Sequence, residues 1–249
     1  MKLAFSTLAC PEYSWPEIYT MAKDTGFDGI EIRGLGQEIF AVKAPPFTDA
    51  GLPETLQKLH ALRLEIPCLS SNCCLRDTEK AAENREEISQ YIDLAQKLGA
   101  PYIRILADLA PMPECEVDDE AVAAQLRDLA PMAEKAGVTL LVETNGVYAD
   151  TARLGRLLEM VSSDAVAALW DMHHPYRFFG ESPEKTIQNL GGYIRYVHVK
   201  DSVMEDGRVS YRMMGEGDLP IDAMMQALRS VCYDGYISLE WVKRWSGDL

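Results

Sequence analysis

Short apolar runs alternate along the chain with longer stretches whose apolar residues recur at helical spacing. The runs are rich in β-branched and aromatic residues, as buried strands are, and they predict strands at 3–7, 27–33, 64–70, 102–106, 138–143, 166–171, 193–201 and 235–240. The intervening stretches predict helices at 14–25, 53–62, 79–98, 117–136, 151–161, 183–190 and 220–231. A loop rich in Gly and Pro at 34–51 is expected to help cover a site.

This alternation predicts a single-domain (β/α)8 TIM barrel over residues 1–249. Parallel strands joined by right-handed helical crossovers give this order, and about 250 residues is an ordinary size for such a barrel. The alternative is an open doubly wound sheet, which would want a Gly-x-Gly-x-x-Gly turn after the first strand. Residues 8–11 read Leu-Ala-Cys-Pro instead. The pattern therefore favours the barrel.

Four successive predicted strands each carry, near the carboxyl end, a side chain of a type that binds metal ions. Strands five, six and eight end in the carboxylates Glu143, Asp171 and Glu240. Strand seven contributes His198, and strand alternation places Lys200 on the same face. Because active sites of (β/α)8 barrels lie at the carboxyl ends of the strands, we expect these side chains to face one another.

Three carboxylates that face one another repel and resist ionisation unless a cation lies between them. A divalent metal ion would remove this repulsion. Three oxygen donors and one imidazole, without sulfur, suit Mn2+, Co2+ or Mg2+, with coordination places left for water and substrate. The sequence therefore predicts one divalent ion bound by Glu143, Asp171, His198 and Glu240.

Composition narrows the class of partner. The net charge of the 249 residues is −15, and an acidic surface repels phosphate backbones and anionic lipids, so neither nucleic acid nor a membrane is expected as a partner. The six cysteines form no Cys-x-x-Cys pair and are expected to be reduced and mostly buried. The apolar N-terminal stretch is too short for a signal peptide and is interpreted as strand one, so a cytoplasmic protein is expected.

The strand-end motifs together resemble those of the xylose isomerase-like barrel superfamily. They are Glu-Thr-Asn at 143–145, Asp-Met-His-His at 171–174, His-Val-Lys-Asp at 198–201 and Gly-Glu-Gly-Asp at 215–218. The resemblance covers essentially the whole chain, and the ordered set is specific to the superfamily rather than to one member. Members include ketose 3-epimerases, hydroxypyruvate isomerases, inosose dehydratases and endonuclease IV. The resemblance implies a metal-dependent isomerase or epimerase of a small keto-sugar or related hydroxy-carbonyl compound.

The resemblance also implies roles for individual residues. Glu143 and Glu240 would be metal ligands and, in addition, the acid and base that move a proton beside the substrate carbonyl through an enediolate. His174 matches the substrate-contacting histidine of the Asp-x-x-His motif. His173, which strict strand alternation would favour, is then a neighbour without a catalytic role. Relatives form dimers or tetramers, so a homodimer or homotetramer is expected.

Several other polar residues are candidate contacts to a sugar substrate. They follow or end strands, or precede the motif at 215–218, and they are Lys200, Arg104, Asn72 and Arg212. Glu31 and Arg33 share a face of strand two, and their simplest interpretation is that they pair with each other.

Three alternative functions stay open at this point. An inosose-type dehydratase begins with the same proton removal, and the ligand set does not separate it from an isomerase. An endonuclease IV-like enzyme is disfavoured, because its trinuclear zinc centre is rich in histidine, whereas this chain has four histidines and a net charge of −15. A non-catalytic sugar-binding barrel would not hold metal.

The ketose 3-epimerases also carry a second glutamate shortly after the strand-five ligand, and residues 145–149 contain none.

Overall fold

Ten strands, eight of them in one parallel sheet, occur within residues 1–246, the part of the chain that the computed structural model describes. They are β1 (Lys2–Ser6), β2 (Gly29–Glu31), β3 (Cys68–Cys74), β4 (Tyr102–Leu106), β5 (Thr139–Glu143), β6 (Val166–Asp171), β7 (Ile194–Val199), β8 (Asp201–Glu205), β9 (Arg208–Arg212) and β10 (Tyr236–Leu239). The end of the predicted domain, residues 247–249, lies outside the described residues.

The strand order closes the parallel sheet into a barrel. β1 pairs with β2 and β10, β10 pairs with β7, and pairing then continues in turn through β6, β5 and β4 to β3. Isolated parallel bridges, Gly29 to Glu65 and Ile32 to Leu69, join the β2 edge to the chain around β3. The predicted (β/α)8 fold is thus confirmed.

Helices occupy the connections between barrel strands. They are α1 (Trp15–Asp24), α2 (Leu52–Leu62), α3 (Ala81–Leu98), α4 (Asp119–Ala136), α5 (Thr151–Val161), α6 (His173–Phe179), α7 (Pro183–Leu190) and α8 (Ile221–Ser230). α1 begins as the sequence predicts, since the Glu17 carboxylate accepts a hydrogen bond of 2.7 Å from the backbone N–H of Ser14. No helix within residues 1–246 combines the length and the apolar character needed to cross a membrane.

The barrel lumen has an apolar floor and a charged layer above it. The floor is a buried cluster of side chains from seven positions, namely Ala4, Cys68, Leu141, Ala167, Leu169, Tyr196 and Tyr236. Because side chains alternate along a strand, the lumen-facing residues of the next layer lie two positions further on. They include Glu143, Asp171, His198 and Ser238. In the strand register, Asp171 lies beside His198, and His198 beside Ser238, so the polar layer is continuous around this wall.

Two strands differ from the predicted segments by two or more residues at both ends. β2 is shorter than 27–33, because the flanking amides donate elsewhere: Phe27 to the Ala22 carbonyl at 3.0 Å, and Arg33 to Thr7 Oγ1 at 2.8 Å. β3 begins at residue 68 rather than 64. Pro67 precedes it and has no N–H to donate to a strand ladder.

Two elements at the carboxyl ends of strands were not predicted. Helix α6 follows β6 almost directly, and β8 and β9 form an antiparallel hairpin after β7. The hairpin turns at Asp206 and Gly207, whose φ values are 50° and 77°. An Asp-Gly pair between two strands is the usual signal of a two-residue hairpin turn, so this element was readable from the sequence.

All six cysteines are free thiols, as predicted. Cys10, Cys68 and Cys73 are buried and Cys74 is half-buried, whereas Cys115 and Cys232 are exposed. Burial raises the pKa of Cys10 to about 11, so this thiol stays protonated.

Candidate metal centre and cavity

Four side chains at the carboxyl ends of barrel strands converge where the sequence predicts. One ligand atom from each of Glu143, Asp171, His198 and Glu240 lies within 4.8 Å of the other three. Nδ1 of His198 is 3.4 Å from Oε1 of Glu143 and 3.4 Å from Oε1 of Glu240. It is 4.0 Å from Oδ2 of Asp171. None of the four residues is more than 4% exposed, so the cluster is shielded from water.

A further carboxylate orients the imidazole of this cluster. Nε2 of His198 lies 2.9 Å from Oε2 of Glu31, which is fully buried. Glu31 also accepts hydrogen bonds from the hydroxyls of Ser70 at 2.6 Å and Ser238 at 2.8 Å. Burial alone would raise the pKa of Glu31, but His198 and the two serines outweigh burial and lower that pKa. With Nε2–H donating to Glu31, Nδ1 of His198 faces the carboxylate cluster.

Glu143 is ionised although it is buried. The guanidinium Nε of Arg104 lies 2.6 Å from Oε2 of Glu143, and Nη1 of Arg104 donates to the Ser71 carbonyl at 3.2 Å. Burial would raise the pKa of Glu143, but the charges of Arg104 and His198 lower it well below its usual value. An ionised carboxylate is in the protonation state that accepting a proton requires, and the ion pair with Arg104 holds it in position.

Lys200 joins the remaining two carboxylates. Its ammonium forms ion pairs with both Asp171 and Glu240, and its side chain is almost completely buried. Burial lowers the pKa of Lys200, but these two carboxylates raise it well above its usual value. The second oxygen of Asp171 accepts hydrogen bonds from the backbone N–H groups of His173 and His174, at 2.8 and 3.2 Å. Asp171 therefore also fixes the start of α6.

The donor set fits a divalent cation. Nδ1 of His198 is buried and, within residues 1–246, has no hydrogen-bond partner, although three carboxylates surround it. Burial lowers the pKa of His198, but Glu31 and Glu240 raise it well above its usual value. The carboxylates thus stabilise a positive charge beside Nδ1 of His198, and a divalent ion supplies more positive charge there than a proton does. Glu143, Asp171, His198 and Glu240 would hold that ion.

The two adjacent histidines of α6 have different surroundings. Nδ1 of His174 lies 2.9 Å from the Thr144 carbonyl and so carries the proton, and His174 lines the cavity described below. Burial lowers the pKa of His174, which leaves a neutral ring with Nε2 as an acceptor. Nε2 of His173 instead lies 2.9 Å from Oγ of Ser202, and burial lowers the pKa of His173 to about 2. The structure therefore brings His174, not His173, to the cavity.

A cavity of about 430 Å³ adjoins the cluster. Its polar wall includes Arg33, Arg104, Glu143, Asn145, His174, Lys200, Tyr211 and Glu240. Its apolar wall includes Leu8, Leu106, Leu109, Pro111, Val242 and Trp245. Sequence reasoning did not place Tyr211, Arg33 or Trp245 here. The Asp-Gly turn predicts a hairpin after β7, and that hairpin carries Tyr211. The face that Arg33 shares with Glu31 is the one that faces the lumen.

Two predicted substrate contacts do not line this cavity. The backbone N–H of Asn72 donates to Oε1 of Glu87 at 2.6 Å, and its side chain is absent from the cavity wall. Arg212 lies on β9, where it pairs with Glu205 at 2.5 Å and lines a neighbouring hollow. A role for either residue in substrate binding stays a prediction.

The expected pairing of Glu31 with Arg33 is wrong. The carboxylate of Glu31 is hydrogen-bonded to His198, Ser70 and Ser238, and no ion pair joins it to Arg33. The two side chains share a face of the chain, but Arg33 extends into the cavity wall beyond the end of β2. Sequence spacing predicts that Glu31 and Arg33 share a face, but it does not show that His198 and two serines bind Glu31 instead.

Asp201 anchors the hairpin that carries Tyr211. Its buried carboxylate accepts hydrogen bonds from the backbone N–H groups of Gly215 and Gly217, each at 3.0 Å, and of Leu219 at 3.4 Å. A Cβ added at Gly217 would lie only 1.9 Å from Oδ1 of Asp201, so this approach requires glycine. The motif at 215–218 therefore wraps around Asp201 and fixes one side of the cavity.

Comparison with known proteins places this architecture in a family. A family model described as the xylose isomerase-like TIM barrel matches residues 20–248. Fructoselysine 3-epimerase from Shigella flexneri is 26% identical over 236 residues, which cover 89% of this chain and 83% of that protein.

Two solved structures share the fold over nearly the whole chain. The probable 3-DHS dehydratase AsbF, involved in petrobactin synthesis in Bacillus anthracis, has a TM-score of 0.81 at 21% identity and covers 100% of this chain and 95% of its own. The IOLI protein with a bound zinc atom has a TM-score of 0.77 at 20% identity and covers 97% and 89%. At these identities the likeness establishes the fold alone.

Proposed function

Because this chain belongs to the xylose isomerase-like TIM-barrel family, we propose that it is a divalent-metal-dependent epimerase or isomerase of a small keto-sugar. The relative that supports this choice is fructoselysine 3-epimerase. The observation that carries it is the position of Glu143 and Glu240, each 3.4 Å from Nδ1 of His198 and each in the wall of the cavity. Two carboxylates at one buried centre suit the removal and return of a proton.

The proposed reaction starts with removal of a proton from the carbon beside the substrate carbonyl. Glu143 is the proposed base, because Arg104 and His198 keep its carboxylate ionised inside the barrel. Glu240 is the proposed partner that returns a proton, either to the opposite face of the same carbon or to the neighbouring carbon. The bound ion would supply Lewis-acid stabilisation of the negative charge that develops on the substrate oxygens.

The remaining polar residues of the wall are proposed to orient the substrate. His174 is neutral, and its Nε2 lone pair can accept a hydrogen bond from a sugar hydroxyl. Lys200 is charged and can donate to an oxygen beside the reacting carbon. Arg104 is proposed to act mainly through Glu143, to which its guanidinium is already bound.

The proposed cofactor is one Mn2+, Co2+ or Mg2+ ion, since three oxygen donors accompany one imidazole. The zinc atom in the IOLI structure makes Zn2+ a necessary comparison in any test. We further propose a small-molecule sugar as the substrate, a homodimer or homotetramer as the assembly, and the cytoplasm as the location. The charge of −15 supports a small-molecule substrate over nucleic acid.

The test is proton exchange with solvent. Protein loaded with Mn2+ would be incubated in deuterium oxide with fructoselysine and with a panel of ketoses, and the products followed by proton NMR. We expect loss of the signal from hydrogen beside the carbonyl and the growth of signals from an epimer or isomer. A product that has lost water would favour the dehydratase alternative, which shares the first step. Absence of exchange and of product with every compound would contradict the proposal.

A further inference from the structure

Arg33 is a buried cation that has no carboxylate partner among residues 1–246. It follows β2, is 8% exposed and lines the cavity. Within residues 1–246, no carboxylate oxygen lies within 4.0 Å of its guanidinium, and its one side-chain hydrogen bond is from Nη1 to the Ile39 carbonyl at 3.4 Å. Charges taken out of water are normally paired, so this arrangement calls for an explanation.

The other cations of the cavity wall are already paired. Arg104 is bound to Glu143, and Lys200 is bound to Asp171 and Glu240. The two residues therefore serve carboxylates of the protein itself. Arg33 is the cation of this wall that has no carboxylate partner in the described part of the chain.

The surroundings hold Arg33 in place without neutralising it. Its backbone N–H donates to Thr7 Oγ1 at 2.8 Å, and its guanidinium lies 5.6 Å from the centre of the Trp245 ring, a cation–π arrangement. Burial, together with the nearby charge of Arg104, lowers the pKa of Arg33 to about 10. Tyr91, Glu87 and Glu240 raise that pKa, but Oε1 of Glu87 accepts a hydrogen bond from the backbone N–H of Asn72, and Glu240 pairs with Lys200. An anion in the cavity would relieve the desolvated charge.

We infer that Arg33 binds a carboxylate of the substrate, so that the substrate class is a hydroxy-ketone bearing an acidic group, such as a keto-sugar acid or a sugar–amino acid conjugate. This inference rests on the proposed function, because it assumes that the reacting carbonyl lies near Glu143 and Glu240. Trp245 would cover the ion pair, and the guanidinium would receive its counter-ion from the ligand.

The geometry favours a carboxylate over a phosphate. A single guanidinium presents a planar pair of N–H donors that can bind the two oxygens of one carboxylate, and its single positive charge balances the single negative charge of that group. A phosphate carries more charge and more acceptors, whereas the positive charges of Arg104 and Lys200 are already balanced by carboxylates of the protein, and the backbone N–H of His174 donates to Asp171. One free guanidinium therefore suits one carboxylate.

The experiment compares three ketoses of the same carbon chain that differ at carbon six. D-fructose carries a hydroxymethyl group there, D-fructuronate a carboxylate, and D-fructose 6-phosphate a phosphate. Their dissociation constants would be measured by calorimetry with the Mn2+-loaded wild-type protein. We expect D-fructuronate to bind about 10- to 100-fold more tightly than D-fructose, the range for a hydrogen-bonded charge pair. Equal binding, or tightest binding of the phosphate, would overturn the inference without any variant.

Variants then assign the effect to Arg33. Arg33→Gln should remove the preference for D-fructuronate, and Arg33→Lys should retain only part of it, since lysine keeps the charge without the paired donors. Arg85→Gln, at an exposed pair with Asp128, is the matched control and should keep the wild-type preference. A preference that survives in a folded Arg33→Gln protein would overturn the inference. Deuterium exchange on the same samples separates the two claims, because acid-selective binding without exchange would contradict the proposed function alone.

Discussion

Nε2 of His198 and Oε2 of Glu31 lie 2.9 Å apart in the interior of the barrel, although 167 residues separate them in the sequence. Their contact fixes the ring so that Nδ1 faces Glu143 and Glu240. Carboxylates that bind the second nitrogen of a metal-binding histidine orient the ring and increase its basicity. Glu31 is therefore part of the proposed metal centre without being one of its four proposed ligands.

Replacing Glu31 by Gln should weaken metal binding without removing a ligand. The neutral amide keeps the size of the side chain but no longer stabilises the N–H of His198, so the dissociation constant for Mn2+ should rise by about 10- to 100-fold. Calorimetric titration of the metal-free protein gives this constant. Glu86→Gln, on the exposed face of α3, is the control. An unchanged affinity in Glu31→Gln would show that the contact is structural only.

Removing either proposed acid–base group should stop proton exchange. Glu143→Gln and Glu240→Gln should each lower the rate of deuterium incorporation by about 10²- to 10⁴-fold, the contribution typical of a positioned general acid or base. Metal content would be measured on the same samples, so that loss of the ion is separated from loss of the proton-transfer group. A variant that keeps its metal and exchanges at the wild-type rate would exclude that residue from the chemistry.

The sequence predicts the barrel and the metal cluster for the same physical reason. Side chains that alternate along parallel strands meet at one end of a closed sheet, so the sequence alone predicts that Glu143, Asp171, His198 and Glu240 are neighbours. Their spacing and order were sufficient. The choice between His173 and His174 depended on where β6 ends, and the helix that begins at His173 decides it.

The sequence does not predict which side chains contact each other across the lumen of the barrel. Glu31 and Arg33 share a face, and local spacing suggested that they pair; the structure pairs Glu31 with His198 instead. Partner choice depends on which strands close the barrel, and that is a tertiary property. The hairpin differs, because its Asp206-Gly207 turn is a local sequence signal of a two-residue hairpin loop.

Gly217→Ala should destabilise the fold around Asp201. The added Cβ would lie 1.9 Å from the Asp201 carboxylate, so the loop at 215–219 must shift and lose hydrogen bonds. We expect the free energy of unfolding to fall by about 1–3 kcal/mol, as for other overpacked sites. Gly192→Ala is the matched control, because no atom lies within 4 Å of its added Cβ. Urea unfolding measures both variants, and equal stability of the two would contradict the role of Gly217.

The buried imidazole of His173 should make stability depend on pH. Burial lowers its pKa to about 2, whereas the unfolded chain regains the ordinary value of 6.5, so between these values only the unfolded state takes up the proton. The stabilisation is complete above pH 6.5 and declines as the pH falls towards 2, by at most about 1.4 kcal/mol per pH unit. His173→Gln should show a shallower decline in urea unfolding below pH 6.5. Parallel curves for wild type and variant would contradict this assignment.

The metal content of the purified protein tests the central claim most directly. Wild type and His198→Ala would be dialysed against a mixture of Mn2+, Co2+, Mg2+ and Zn2+, and the bound elements counted per chain. The cluster of Glu143, Asp171, His198 and Glu240 predicts about one divalent ion per wild-type chain and its loss in the variant. A wild-type protein that holds no ion, or a variant that holds as much as wild type, would contradict the metal centre and the mechanism built on it.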